Sequence, residues 1–105
     1  MANLCDNKYY IFCEDSAVLE KISDKLYDTF TVILEGEISW QDENTIEGFF
    51  TSRWNFPMRI FEDFFDEFSD ESIYMRCLSE EYGCELVSMN IYSNGAWREP
   101  QYFDL

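Results

Sequence analysis

The sequence predicts an α+β fold, with two amphipathic helices on one face of a mainly antiparallel sheet, and three observations carry that prediction. Ile46, Gly48, Phe50, Ser52 and Trp54 share one side of residues 45–54 at the two-residue period of a strand. At Asn55-Phe56-Pro57 the period changes, and Ile60, Phe61, Phe64, Phe65 and Phe68 recur at the three- and four-residue steps of an amphipathic helix. Val18, Leu19, Ile22, Leu26 and Phe30 form a second stripe of the same kind.

The elements follow in order. Residues 8–13, an aromatic and β-branched run ending in Cys13, read as a first strand, apolar enough to be central. Asp15 or Ser16 can accept from the free N–H groups of a helix running to about Thr29, with Lys21, Asp24, Lys25 and Asp28 on its polar side. Residues 31–34 are expected as a second strand, interrupted at Gly36 by a bulge or turn and resumed by Ile38-Ser39-Trp40. Gln41-Asp42-Glu43-Asn44 has the length of a hairpin connection to the strand at 45–54. Pro57 suits the first position of the second helix, having no N–H to leave unpaired.

After a solvated turn at residues 69–72, Ile73, Met75 and Cys77 alternate with Tyr74, Arg76 and Leu78. A turn at residues 79–83 leads to a strand at 85–92, with Val87, Met89 and Ile91 on one side and Leu86, Ser88, Asn90 and Tyr92 on the other. Asn94-Gly95 is a strong type I′ hairpin signal, and Pro100 limits the returning arm to an edge. The simplest topology with this order is a ferredoxin-like split β-α-β unit of four to six strands, one domain over residues 1–105.

Composition narrows the function. With 22 acids against 7 bases and no histidine, the net charge of −15 disfavours direct binding to nucleic acid or an anionic membrane. It favours a basic protein surface, or serves solubility alone. The opening residues lack the pattern of a secretory signal and no apolar run reaches spanning length, so a reduced, cytoplasmic setting is expected, with Cys5, Cys13, Cys77 and Cys84 as buried thiols.

Two motifs carry a family resemblance. Asn3-Leu4-Cys5-Asp6-Asn7 leads directly into the first strand, and Phe50-Thr51-Ser52-Arg53-Trp54-Asn55-Phe56-Pro57 ends a strand in Trp shortly before a helix-starting Pro. In these, and in Gly83 and Asn94-Gly95, the chain resembles the YubB ferredoxin-like family of plasmid- and phage-associated bacterial proteins, with Leu4 where that family has Trp. The resemblance implies a ferredoxin-like domain on a mobile element, of unknown function.

Catalytic patterns are sparse. There is no C-x-x-C pair, no G-x-S-x-G, no glycine-rich phosphate loop, no calcium-loop spacing and no histidine to partner a nucleophile. The expectation is therefore no enzyme activity, cofactor or metal. Glu62, Asp63, Asp66, Glu67, Asp70 and Glu71 alternate with the Phe stripe and read as a solvated acidic face. Trp54 reads as a core anchor at the strand-to-helix corner, sharing the side of Ile46 and Phe50.

Tyr92, Trp97, Arg98 and Tyr102, near the terminal arm, are the candidate partner contact, since Trp, Tyr and Arg dominate binding hot spots. The resulting expectation is a small acidic protein-interaction module, binding a protein partner or its own copy through an edge strand. The alternative is an acidic decoy, its helix acids with Asp42, Glu43, Glu47, Glu80 and Glu81 imitating nucleic-acid phosphates toward a basic DNA-binding protein.

Overall fold

Alternation along the chain builds a seven-stranded sheet, and the two apolar stripes supply residues to its core. The computed structural model describes residues 4–81, 83 and 86–104. Residues 1–3, Tyr82, Cys84, Glu85 and Leu105 lie outside this description, and with them the expected thiol at Cys84, the strand start at Glu85, part of the turn before it and the opening Asn3.

The chain runs β1 (Leu4–Phe12), α1 (Ser16–Val32), β2 (Glu35–Gln41), β3 (Thr45–Arg53), α2 (Met58–Phe61), β4 (Tyr74–Glu81), β5 (Leu86–Ser93), β6 (Ala96–Trp97) and β7 (Gln101–Asp104). The strands lie in the order β2-β3-β1-β4-β5-β6, with β7 also on β5, and the paired neighbours are antiparallel. The first strand is central as expected, but it begins at Leu4, four residues earlier than the aromatic run. Cys5, Asn7, Tyr9 and Ile11 point inward from it.

Asp15 caps α1, its Oδ1 accepting from the Ala17 and Val18 amides at 2.9 and 3.3 Å. The helix then continues to Val32, through residues expected to begin the second strand. Within its last turns the hydroxyls of Thr29 and Thr31 donate back to the carbonyls of Lys25 and Tyr27. β2 therefore starts at Glu35, and its irregularity falls between Ile38 and Trp40 rather than at Gly36.

Asp42 accepts from the Asn44 amide, the Thr45 amide and the Thr45 hydroxyl, closing the β2–β3 hairpin. The Thr45 hydroxyl first, and then the Asn44 and Thr45 amides, hold the Asp42 carboxyl below the usual carboxylate range.

The second helix is much shorter than the Phe stripe implies. α2 has four residues, after which Phe64, Asp66 and Phe68 donate to carbonyls three residues back. Such tight turns still bring residues three and four apart to one side, so Phe61, Phe64 and Phe65 are buried as the spacing predicts. Trp54 does not follow the parity of β3. It lies beyond the strand at φ 72°, is 53 % exposed, and the buried ring at this corner is Phe56.

Leu19, Ile22 and Leu26 of α1 join Phe61, Phe64 and Phe65 in one cluster with Tyr9, Ile11, Ile46, Phe50, Met75 and Tyr92 of the sheet. Ring centroids at 4.5 Å (Phe65–Tyr92), 5.3 Å (Phe56–Phe61) and 5.5 Å (Phe50–Phe61) lie in the range where aromatic pairs attract beyond their area burial. Tyr9 lies directly across from Gly48, and its hydroxyl donates to the Glu37 carbonyl at 3.0 Å. A Cβ on Gly48 would stand 2.5 Å from that hydroxyl oxygen, so the phenol occupies the space a side chain there would need. Asn94 and Gly95 both take positive φ, 53° and 81°, as the type I′ turn requires.

Candidate functional site: the outward face of the sheet

Strand parity sorts the sheet into two faces. Residues directly opposite one another project to the same side. Register thus places Glu37, Phe49, Lys8, Leu78, Met89 and Gln101 in one transverse row on the side away from the core. A second row runs Thr51, Asp6, Glu80, Val87 and Phe103, and a third Trp40, Glu47, Tyr10, Arg76 and Ile91.

Large apolar side chains on this face remain in solvent. Trp40, Phe49 and Phe103 are each 51 % exposed and Leu78 is 40 % exposed. A groove of about 570 Å³ lies around Lys8, lined by Phe49, Leu78, Glu47, Glu80 and Asp6. A second depression of about 270 Å³ adjoins it and shares Lys8, Glu47 and Leu78, adding Tyr10, Arg76 and Met89. The Arg76 guanidinium lies 4.2 Å from the centre of the Tyr10 ring, a cation–π contact that fixes the far wall.

The candidate contact residues do not form one surface: Tyr92 and Trp97 meet in the core, away from Arg98 and Tyr102. Tyr92 is buried, its ring against Phe65 and Trp97. Trp97 is half-buried and its Nε1 donates to the Phe61 carbonyl at 2.8 Å, so both residues belong to the core. Arg98 is exposed, its Nε donating to Ser93 Oγ at 3.0 Å. Tyr102 is exposed on β7 opposite Ser88, on the other side from Phe49.

Of the acidic face, Glu62, Asp63, Asp66, Glu67 and Glu71 are exposed. Glu67 pairs with Lys25 at 2.7 Å, and Lys25 Nζ also donates to the Phe64 carbonyl. Asp70 is half-exposed and turned inward: it accepts from the Ser72 amide and hydroxyl at 2.8 and 2.7 Å, and from the Cys13 thiol. Its carboxyl is held below the usual range by the Ser72 hydroxyl first and the Ser72 amide second.

The remaining titratable groups with displaced values are core groups. Burial pushes the Cys77 thiol up to about 12 and raises Cys5 and Cys13 as well. The three described cysteines are buried, with no disulfide among them. Among the described residues no group of three His, Cys, Asp or Glu side chains is placed to hold a metal ion, and no helix is long and apolar enough to cross a membrane.

The outward face was legible in one respect: the alternation that assigns Ile46, Gly48 and Phe50 to the core leaves Phe49 outside. A Phe at outward parity between Glu47 and Thr51 was the signal. Comparison with known proteins gives no matching family model, no matching curated protein and no matching solved structure.

Proposed function

We propose that the chain is a protein-interaction module, without catalysis or cofactor, that engages its partner through the outward face of its central strands. The observation that carries this reading is the set of exposed apolar side chains on that face, Trp40, Phe49, Leu78 and Phe103, of which Phe49 and Leu78 line the groove at Lys8. Nucleic acid is a poor candidate for the same face, because Asp6, Glu47 and Glu80 border the groove in a chain of net charge −15.

We read the scaffold as a split β-α-β, ferredoxin-like unit extended by β5, β6 and β7. The order β2-β3-β1-β4 with antiparallel neighbours supports this, as does the shared cluster formed by α1 and the Phe stripe on the inner side. Membership of the YubB family, carriage on a mobile element and a reducing, cytoplasmic setting belong to the same reading.

The second reading, a nucleic-acid-mimicking decoy, draws support from the exposed acids among residues 62–71. It asks for one acidic band, whereas Glu47 and Glu80 project from the outward face and Glu62 to Glu67 flank rings packed into the core on the other side. Affinity capture with the wild type and with Phe49→Ser/Leu78→Ser separates the two. The interaction reading expects a partner retained at high salt and lost with the double variant. A basic protein displaced by duplex DNA and indifferent to the variant would establish the decoy instead.

A further inference from the structure

We infer that the inner side of β5 carries a binding site of its own, a small pocket for an uncharged ligand that ends in a primary carboxamide. The site is independent of the outward face and of the partner reading above.

One inner row of the sheet runs Phe50, Asn7, Ser79, Ser88 and Tyr102, and Asn90 takes the next inward position along β5, opposite Cys77. The first polar members of the row satisfy one another, the Ser79 hydroxyl donating to Asn7 Oδ1 at 2.6 Å. The network stops there. Ser88 and Asn90 are 6 % and 3 % exposed, yet among the described residues neither side chain has a hydrogen-bond partner. Folded proteins pair nearly all such groups, so an orphaned pair asks for a reason outside the fold. No unpartnered polar atom of these side chains is sealed off, and both line one pocket of about 150 Å³.

The lining narrows the ligand. Phe56, Met58 and Pro100 supply an apolar wall, and the exposed Asn55 and Tyr102 complete it. The Phe56 ring is held by Phe61 at 5.3 Å and by Trp97 at 5.4 Å, so this wall is formed in advance of any ligand. No charged residue stands among the described residues of the lining, and an ion would give up its hydration with no opposite charge to meet. The ligand is therefore neutral. The Asn90 carboxamide presents a donor and an acceptor side by side, and a second carboxamide meets both at once. The Ser88 hydroxyl serves that group's remaining donor or acceptor. A space of about 150 Å³ takes one benzene-sized body and little more.

The test titrates the full chain with benzamide and follows backbone and Asn side-chain amides by two-dimensional NMR. Its controls are benzoate, an anion of the same shape, and N,N-dimethylbenzamide, which has no N–H to donate. Benzamide shifts Ser88, Asn90 and Tyr102 saturably, and both controls bind at least about tenfold more weakly, the loss expected for a hydrogen-bonded edge. A capped tripeptide with glutamine at its centre carries the same group on a protein side chain. Tighter binding than benzamide assigns the carboxamide to a partner chain, and weaker binding assigns it to a free small molecule.

Asn90→Ala removes the carboxamide and leaves more room, so benzamide binding falls at least about tenfold for want of hydrogen bonds and not of space. Asn90→Leu removes the same group with its branching kept, and its Tm holds or rises, because no hydrogen bond of the fold is lost. Ser88→Ala repeats the Tm comparison without added bulk. A clearly lower Tm in both Asn90→Leu and Ser88→Ala would give these side chains to the fold and overturn the site. Benzoate binding as well as benzamide, or undiminished binding by Asn90→Ala, would overturn carboxamide recognition. Shifts scattered away from the pocket, or none with any probe, would leave the space to water alone and overturn the proposal.

Discussion

Replacing Asn7 by Ala should cost more stability than its short side chain suggests. Asn7 is 1 % exposed and ties three strands together. Its Nδ2 lies 3.2 Å from the Cys5 and Phe50 carbonyls and 2.9 Å from Ser52 Oγ, while Ser79 Oγ donates to its Oδ1 at 2.6 Å. In Asn7→Ala the Ser52 hydroxyl keeps its bond to the Asn55 carbonyl at 2.7 Å. The Ser79 hydroxyl loses its oxygen acceptor, and the nearest alternative is the Cys77 sulfur at 3.8 Å. The Phe50 carbonyl loses a donor. With the Cys5 carbonyl losing the same donor, one orphaned hydroxyl, two under-satisfied carbonyls and a small void add to about 2–4 kcal/mol. Urea unfolding followed by tryptophan fluorescence measures it, since Trp40 and Trp54 are already exposed and Trp97 is not. The double variant with Ser79→Ala should be less unstable than the two single costs summed, by about 1–2 kcal/mol, because the orphan is removed with its partner. A cost below about 0.5 kcal/mol for Asn7→Ala, or strict additivity with Ser79→Ala, would refute the account.

Other consequences follow from the same coordinates. Gly48→Ala would bring a Cβ to 2.2 Å from the Glu37 carbonyl oxygen, so β2 must move; thermal melting should show a loss of about 3 kcal/mol. Gly95→Ala meets nothing within 4 Å and pays only for its φ of +81°, about 1 kcal/mol, so the reverse ranking would contradict the clash argument. Cys77, with its thiol pushed up to about 12, stays protonated at pH 8, and its alkylation, located by peptide mass mapping, should follow global unfolding; labelling at the rate of a free thiol would disprove its enclosure. Asp42 and Asp70 have folded values below their unfolded ones, so their contribution is complete above the ordinary carboxylate range, near about 4, and is lost as pH falls through their lowered values. Asp42→Asn/Asp70→Asn should therefore flatten the acid limb of a stability–pH curve measured by denaturant titration, and an unchanged limb would count against both turns.

Local signals with one strong cause were legible in the sequence. The Asp15 cap, the α1 stripe, the Asn94-Gly95 turn and the alternation around Met75 each arise from a short-range constraint. The failures arose where two causes compete. Val32 and Ile33 have strand propensity but are 81 % and 61 % exposed, and the helix runs through the first and is capped by the second, with threonine hydroxyls turned back onto its carbonyls. In β5 the buried parity is Ser88, Asn90 and Tyr92, while the more apolar Val87, Met89 and Ile91 remain half-exposed. Only register against β4, where Ser79 faces Ser88 and Cys77 faces Asn90, decides which side is inner. Residue type alone makes Tyr92 and Trp97 candidates for a contact surface. Their inward parity, shared across the Tyr92–Trp97 pair, makes them core instead.

β5 itself, Leu86–Ser93, contains no charged residue, and its side away from β4 is covered in two instalments, first by β6 and then, past Pro100, by β7. The opposite margin of the sheet, β2, is discouraged from recruiting strands by Glu35, Glu37 and an irregular register. One margin is thus protected by composition and the other by chain that follows it. Without that cover β5 is an uncharged, β-prone ribbon with an open ladder. A variant cut after Ser93 would therefore be the form most prone to co-aggregate.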